Sequence, residues 1–170
     1  ITSGNFVKIH DFIKVGGFMD ELFIDFVDFE LGYKLYKNNL KIGYLDGFSI
    51  LHTIGNPIEI HILNKTYHAM NHAPIRYYYR FRNSYYLYHF VDKRFFRKEY
   101  YKEMYVNLLK MLIYEKNRKF KLQMIHKGLQ DAKKKKLGKF LCQWRGCVML
   151  LLVESFFYRD YIIGFYRFTN

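Results

Sequence analysis

The chain is poor in several things that would narrow its class at once. Its two cysteines, Cys142 and Cys147, are too few for a disulfide framework. Their C-x4-C spacing also lacks the second ligand pair of a structural zinc site, and a reducing compartment fits. Only two prolines occur, Pro57 and Pro74, so nothing beyond residue 74 forbids long helices. Long hydrophobic runs are missing too. Glu154, Arg159 and Asp160 interrupt the aromatic tail, and no uncharged apolar stretch reaches the roughly 18 residues of a spanning helix. The first residue is Ile1, with no charged-then-apolar leader behind it, so a fragment of a longer protein is expected. There is no internal repeat.

What is present is apolar mass and basic charge. A chain of 170 residues that is 51% hydrophobic has the material for one ordinary domain with its own core, which excludes disorder over most of its length. The formal charge of +13 is uneven. Residues 1–50 hold five Lys/Arg against seven Asp/Glu, whereas 71–140 hold nineteen against five. Such a basic, aromatic second half attracts phosphate-rich partners: nucleic acid, anionic lipid headgroups or a pyrophosphate-bearing substrate.

The periodicity predicts a short strand running into a short helix over 6–15, ended by Gly16-Gly17. A helix is expected over 25–37, closed by Asn38-Asn39. Lys41–Leu45 and Phe48–His52 are β-prone runs flanking Asp46-Gly47, a hairpin-turn dipeptide. Residues 53–74 contain both prolines and read mostly as loop. Helices are then expected at about 76–90, 97–115 and 118–132, followed by the charge run Lys133–Lys136. From about 139 the composition turns abruptly aromatic, as in a divergent terminus or a shifted reading frame.

The segment richest in chemistry is Gly16–Leu35, GGFMDELFIDFVDFELGYKL, with Asp20, Glu21, Asp25, Asp28 and Glu30 interleaved among bulky apolar side chains. On a strand-to-helix junction this pattern buries Phe23, Phe26 and Phe29 and directs some carboxylates into a cleft, where acid/base work or metal binding is possible. The same acids also suit helix capping and solvated ion pairs. A second segment, His72-Ala73-Pro74-Ile75-Arg76-Tyr77-Tyr78-Tyr79-Arg80-Phe81-Arg82-Asn83, places Arg76, Arg80 and Asn83 at i, i+4 and i+7. One helical face then carries them, either clamping a pyrophosphate or simply snorkelling from an amphipathic helix.

Both segments resemble the acceptor side of bacterial family 2 glycosyltransferases of the rhamnosyltransferase type. Phe23 to Glu30 is similar to an F-I-D-x-V-D-x-E pattern, and His72 to Asn83 to H-x-P-x-R-x-Y-Y-x-x-R-N; Thr2-Ser3-Gly4-Asn5 resembles a small-residue turn that precedes them. The likeness spans about residues 1–138. It implies that Asp28 is the general base of an inverting transfer, with Asp25 and Glu30 orienting the acceptor. It further implies that Arg76, Arg80 and Asn83 bind phosphate, and that His52 joins a divalent cation, Mg2+ or Mn2+, or the donor pyrophosphate. The fold implied is α/β: a partial GT-A (Rossmann-like) domain at 1–74, reduced to its acceptor-side strands and base helix. A helical basic extension at 75–138 and an aromatic tail at 139–170 follow. The donor-binding half with its D-x-D motif is missing, although Asp28-Phe29-Glu30 imitates one, so the piece alone is expected to be inactive.

The partners implied are a nucleotide-sugar donor, of rhamnose by resemblance alone, and a glycan or lipid-linked acceptor. The expected place is cytoplasmic, peripheral at the inner face of the plasma membrane. The alternative is a basic, aromatic nucleic-acid-binding module without catalysis. That alternative leaves the acidic cluster unexplained, and nucleic acid is not the expected partner.

Overall fold

A computed structural model of the chain describes residues 6–43, 47, 58–62, 65–69 and 71–141. The first helix, α1 (Ile9–Lys14), buries none of its residues and stops at Gly16 and Gly17, both left-handed at φ 81° and 64°. The strand expected just before it is not formed; Phe6 to Lys8 are exposed and unpaired in any ladder. A single 3-10 turn, Asp20–Leu22, leads into α2 (Val27–Lys37). Helix α2 ends where the paired asparagines predict, with Asn39 left-handed and the Leu40 amide returning to the Leu35 carbonyl at 3.0 Å.

Residues 58–69 depart from expectation. Instead of loop they form an antiparallel pair, β1 (Ile58–Ile62) and β2 (Lys65–Ala69), in the register Ile58↔Ala69 to Ile62↔Lys65. The run Ile-Glu-Ile-His-Ile alternates strictly and is rich in β-branched residues, and that local pattern outweighs the nearby proline and histidines. Asp46, the expected turn at 46–47 and His52 lie outside the described residues, Gly47 excepted.

The helical second half agrees with expectation in its order and its approximate bounds. It comprises α3 (Pro74–Tyr86), α4 (Arg97–Tyr101), α5 (Leu108–Tyr114) and α6 (Arg118–Lys133). Pro74 opens α3, the one place in a helix where its missing N–H costs nothing. Two wide π turns, Leu87–Val91 after α3 and Lys102–Asn107 between α4 and α5, interrupt what the sequence presents as uninterrupted helices.

Helix α3 is the axis of the core. Tyr77, Tyr78, Tyr79, Phe81, Arg82, Asn83 and Ser84 are all buried, so the helix is enclosed on most sides rather than amphipathic. One apolar cluster joins Leu22 and Phe26 to Leu87, Tyr88 and Phe96, and a second joins Tyr77 and Phe81 to Met111 and Ile125. Each such side chain, removed from water, contributes about 1.5–3 kcal/mol. Helix α6 buries Lys121, Met124, Ile125, Gly128, Asp131 and Ala132, a period that presents one stripe to α3. At Gly128 the two backbones nearly touch: a Cβ there would lie 2.5 Å from the Tyr78 carbonyl oxygen.

The chain divides into two compact units, Ile1–Lys139 and Phe140–Asn170, and all these elements belong to the first. The described residues are thus mostly helical, as expected of the C-terminal part. Their strands make one two-stranded hairpin, and the parallel layer of an α/β domain is not among them. No helix among the described residues is long and apolar enough to cross a membrane.

Candidate functional site

The two motif segments, about fifty residues apart in sequence, are bonded to each other. Between the 3-10 turn and α2 the backbone takes positive φ at Phe23 (66°), Asp25 (57°) and Phe26 (69°). Bulky residues adopt that region at a cost of order 1–3 kcal/mol each, so something must impose it. Helix α3 does. The Asn83 side-chain amide donates to the carbonyls of Leu22 (2.9 Å), Ile24 (2.7 Å) and Asp25 (2.9 Å). Arg82 donates through Nη2 to the carbonyls of Leu22 (2.8 Å) and Glu21 (3.3 Å), and through Nη1 to that of Gly138 (2.6 Å). Its Nε bonds to Asn83 Oδ1 at 2.9 Å, orienting the amide that holds the loop.

Asp25 completes the attachment. Its carboxylate accepts from Arg76 Nη2 at 2.5 Å and Nε at 3.3 Å, a bidentate pair. The carboxylate of Asp25 is only 12% exposed, and that commitment fixes the loop rather than presenting a free acid. Beyond the loop, Asp28 occupies the first turn of α2, partly exposed, where its Oδ1 accepts from the Phe29 amide at 3.1 Å. A carboxylate in the first helical turn is stabilised by the helix dipole. Of the three phenylalanines expected to be buried, Phe26 is, Phe23 is half-buried against Tyr79, and Phe29 faces outward.

Glu30 is buried in α2. Lys34 donates to its Oε1 at 3.0 Å, while its Oε2 is buried without a hydrogen-bond partner. Burial pushes the Glu30 carboxyl above its ordinary range, against the opposing pull of the Lys34 ammonium. It braces α2 from within rather than facing an incoming acceptor.

Arg76, Arg80 and Asn83 leave α3 on related faces but meet different partners. Arg76 pairs with Asp25, and Arg80 donates to Glu103 Oε1 at 2.6 Å, where Asn107 Nδ2 also donates. Asn83 is fully buried with its amide shared among three carbonyls, which leaves no donor for a phosphate. Of the three, Arg76 is the most open, its side chain 36% exposed. His72, beside it, is held neutral: burial first, then the charges of Arg76, Arg80 and Lys121, lower its imidazolium to about 3. His52 is outside the described residues.

Arg82 is the residue that helical-face reasoning passes over. Choosing arginines at i and i+4 selects Arg80, yet the resembled pattern puts its second arginine immediately before the asparagine, which is Arg82. The spacing of the pattern was the available signal.

A second buried polar cluster ties Asn71, α3, the end of α5 and α6 together. Glu115 accepts from the Tyr77 hydroxyl (2.7 Å), from Lys121 Nζ (2.7 Å) and from the Asn71 amide (3.1 Å). Burial and the Glu115 carboxylate drive the Tyr77 phenol far above its usual range. Asp131 similarly accepts from Tyr78 and Lys127, both at 2.9 Å. Every charge in these clusters has a partner, which marks them as braces of the helical stack.

Among the described residues no group of three or more His, Cys, Asp or Glu side chains is placed to hold a metal ion. The chain matches no protein-family model, no curated protein and no solved structure.

Proposed function

We propose that this chain is the acceptor-side part of an inverting sugar transferase, with Asp28 as its general base. The observation that carries the reading is the lock between the two motif segments: Arg76, Arg82 and Asn83 hold the strained turn that delivers α2 and, on its first turn, Asp28. Positive φ at Phe23, Asp25 and Phe26, two of them bulky, imposed from outside by buried donors, is the kind of stored strain found at functional sites. Asp28 lies partly exposed on the first turn of α2, whereas Asp25 is paired with Arg76 and Glu30 is buried.

In this reading the Asp28 carboxylate takes the proton of an acceptor hydroxyl as that oxygen bonds to the anomeric carbon of the donor sugar. The bond from that carbon to the nucleoside diphosphate breaks, and the configuration inverts. Arg76 is the group best placed to attract the donor's phosphates, and doing so requires sharing it with Asp25. The reading requires a GT-A sheet and a donor-binding half, neither of which is among the described residues. The divalent cation that the resemblance implies finds no fitting ligand set among the described residues, and His52, the expected ligand, lies outside them.

The test uses a longer protein that contains this segment together with a donor-binding half. Asp28→Asn lowers turnover by about a hundredfold or more while donor affinity stays within about twofold. Near-normal turnover removes Asp28 from the role. Inversion at the anomeric carbon, followed by NMR of the product, checks the stereochemistry independently.

A further inference from the structure

The helical run from α4 through α5 has an outer face that none of these interactions uses. Tyr101, Tyr105, Leu109 and Ile113 are 40%, 66%, 57% and 51% exposed, at intervals of four residues. In an uninterrupted α-helix each such step drifts by about 40°, and three of them would wind the row well around the helix. The π turn Lys102–Asn107, closed by i→i+5 bonds, advances each residue through a smaller angle and takes back part of that drift. The four side chains therefore form a nearly straight apolar and aromatic ridge, with the Tyr101 and Tyr105 rings stacked at 5.8 Å.

The exposed charge of the same stretch is predominantly positive. Arg97, Lys98, Lys102, Lys116 and Lys119 are exposed. Of the three acids in the same stretch, Glu103 and Glu115 point inward and are engaged by Arg80 and Lys121, which leaves half-buried Glu99 alone to offset them. The internal ion pairs thus take two of the three acids away from the outer face.

We propose that this ridge seats the protein on an anionic lipid bilayer, lying in the headgroup plane. An apolar row containing tyrosine, rimmed by lysine and arginine, has the chemistry of an interfacial helix face. The rim adds attraction for anionic headgroups. A second copy fits less well, because a two-fold interface would bring the same positive rim against itself. A nucleic acid would place its phosphates on the centre of the face, and that centre is Leu109 and Ile113. The inference stands apart from the sugar-transferase reading and survives its failure.

The experiment sediments the full chain with vesicles of phosphatidylcholine alone and of phosphatidylcholine with a quarter phosphatidylglycerol. The wild type pellets with the anionic vesicles at least about tenfold more strongly than with neutral ones. Leu109→Glu/Ile113→Glu, at two exposed positions, weakens that partition by about tenfold or more with unchanged helical circular dichroism. Leu109→Ser/Ile113→Ser serves the same purpose if the acidic pair perturbs folding. Retention of anionic-vesicle binding by a folded double variant overturns the proposal, as does a wild type that ignores anionic vesicles. A wild-type dimer in light scattering that the substitutions dissolve, without a change in vesicle binding, assigns the ridge to self-association and overturns it equally.

Discussion

Asn83, fully buried in α3, donates its side-chain amide to the carbonyl oxygen of Leu22 at 2.9 Å, across 61 positions of sequence. With the bonds to Ile24 and Asp25, one amide holds a turn whose own backbone preferences oppose its shape.

Asn83→Ala is therefore expected to lower the unfolding free energy by roughly 3 kcal/mol, since two part-buried carbonyls lose a donor while the Leu22 oxygen keeps Arg82. Urea denaturation followed by circular dichroism measures it. A loss under about 0.5 kcal/mol would mean that the turn holds its shape without help from α3.

Gly128→Ala separates intrinsic helix preference from packing. In an exposed helix the change gains about 1 kcal/mol. Here the new methyl group meets the Tyr78 carbonyl, backbone against backbone, and a net destabilisation of about 1–3 kcal/mol is expected. Thermal melting that rises instead of falling would show that α3 and α6 are not this close.

The Glu115 cluster predicts strong non-additivity. Lys121→Met leaves a buried carboxylate with only the Tyr77 hydroxyl and the Asn71 amide, at an expected cost of about 3–5 kcal/mol. Adding Glu115→Gln removes the stranded charge and restores a large part of the loss. A double-mutant cycle from chemical denaturation tests this, and simple additivity would refute the coupling.

His72 gives the fold a specific acid sensitivity. Its folded-state value, lowered to about 3 by burial and by Arg76, Arg80 and Lys121, lies below its ordinary 6.5, so between those limits the unfolded chain binds a proton that the folded one refuses. Stability attributable to this residue is complete above pH 6.5 and drains as pH falls toward 3, by up to about 1.4 kcal/mol per unit. His72→Gln should flatten the difference between unfolding free energies at pH 6.5 and pH 4.5. An unchanged slope would place the acid sensitivity elsewhere.

The helical half was legible because its signals are local. Pro74 starts α3, the stripe Met124, Ile125, Gly128, Ala132 turns one face of α6 inward, and Asn38-Asn39 ends α2. The hairpin at 58–69 was readable in the alternation of its three isoleucines, a signal that prolines and histidines nearby obscured. What sequence could not give is partnership. Whether Arg76 faces a ligand or Asp25, and whether Asp28, Asp25 or Glu30 is the accessible acid, depends on contacts between residues dozens of positions apart. The π turns were equally hidden, since a wide turn differs from a helix in hydrogen bonding and not in residue type.

The wide turn at Lys102–Asn107 makes chain length a packing variable. Deleting one residue there lets ordinary helical spacing resume, because the six residues of the wide turn, each advancing through a smaller angle, sweep nearly the same arc as five at about 100° each. Met111 then keeps its place in the core beside Phe81 and Ile125. The stretch is thus unusually tolerant of shortening by one residue, and libraries of single-codon deletions should find it far milder than the centre of α3.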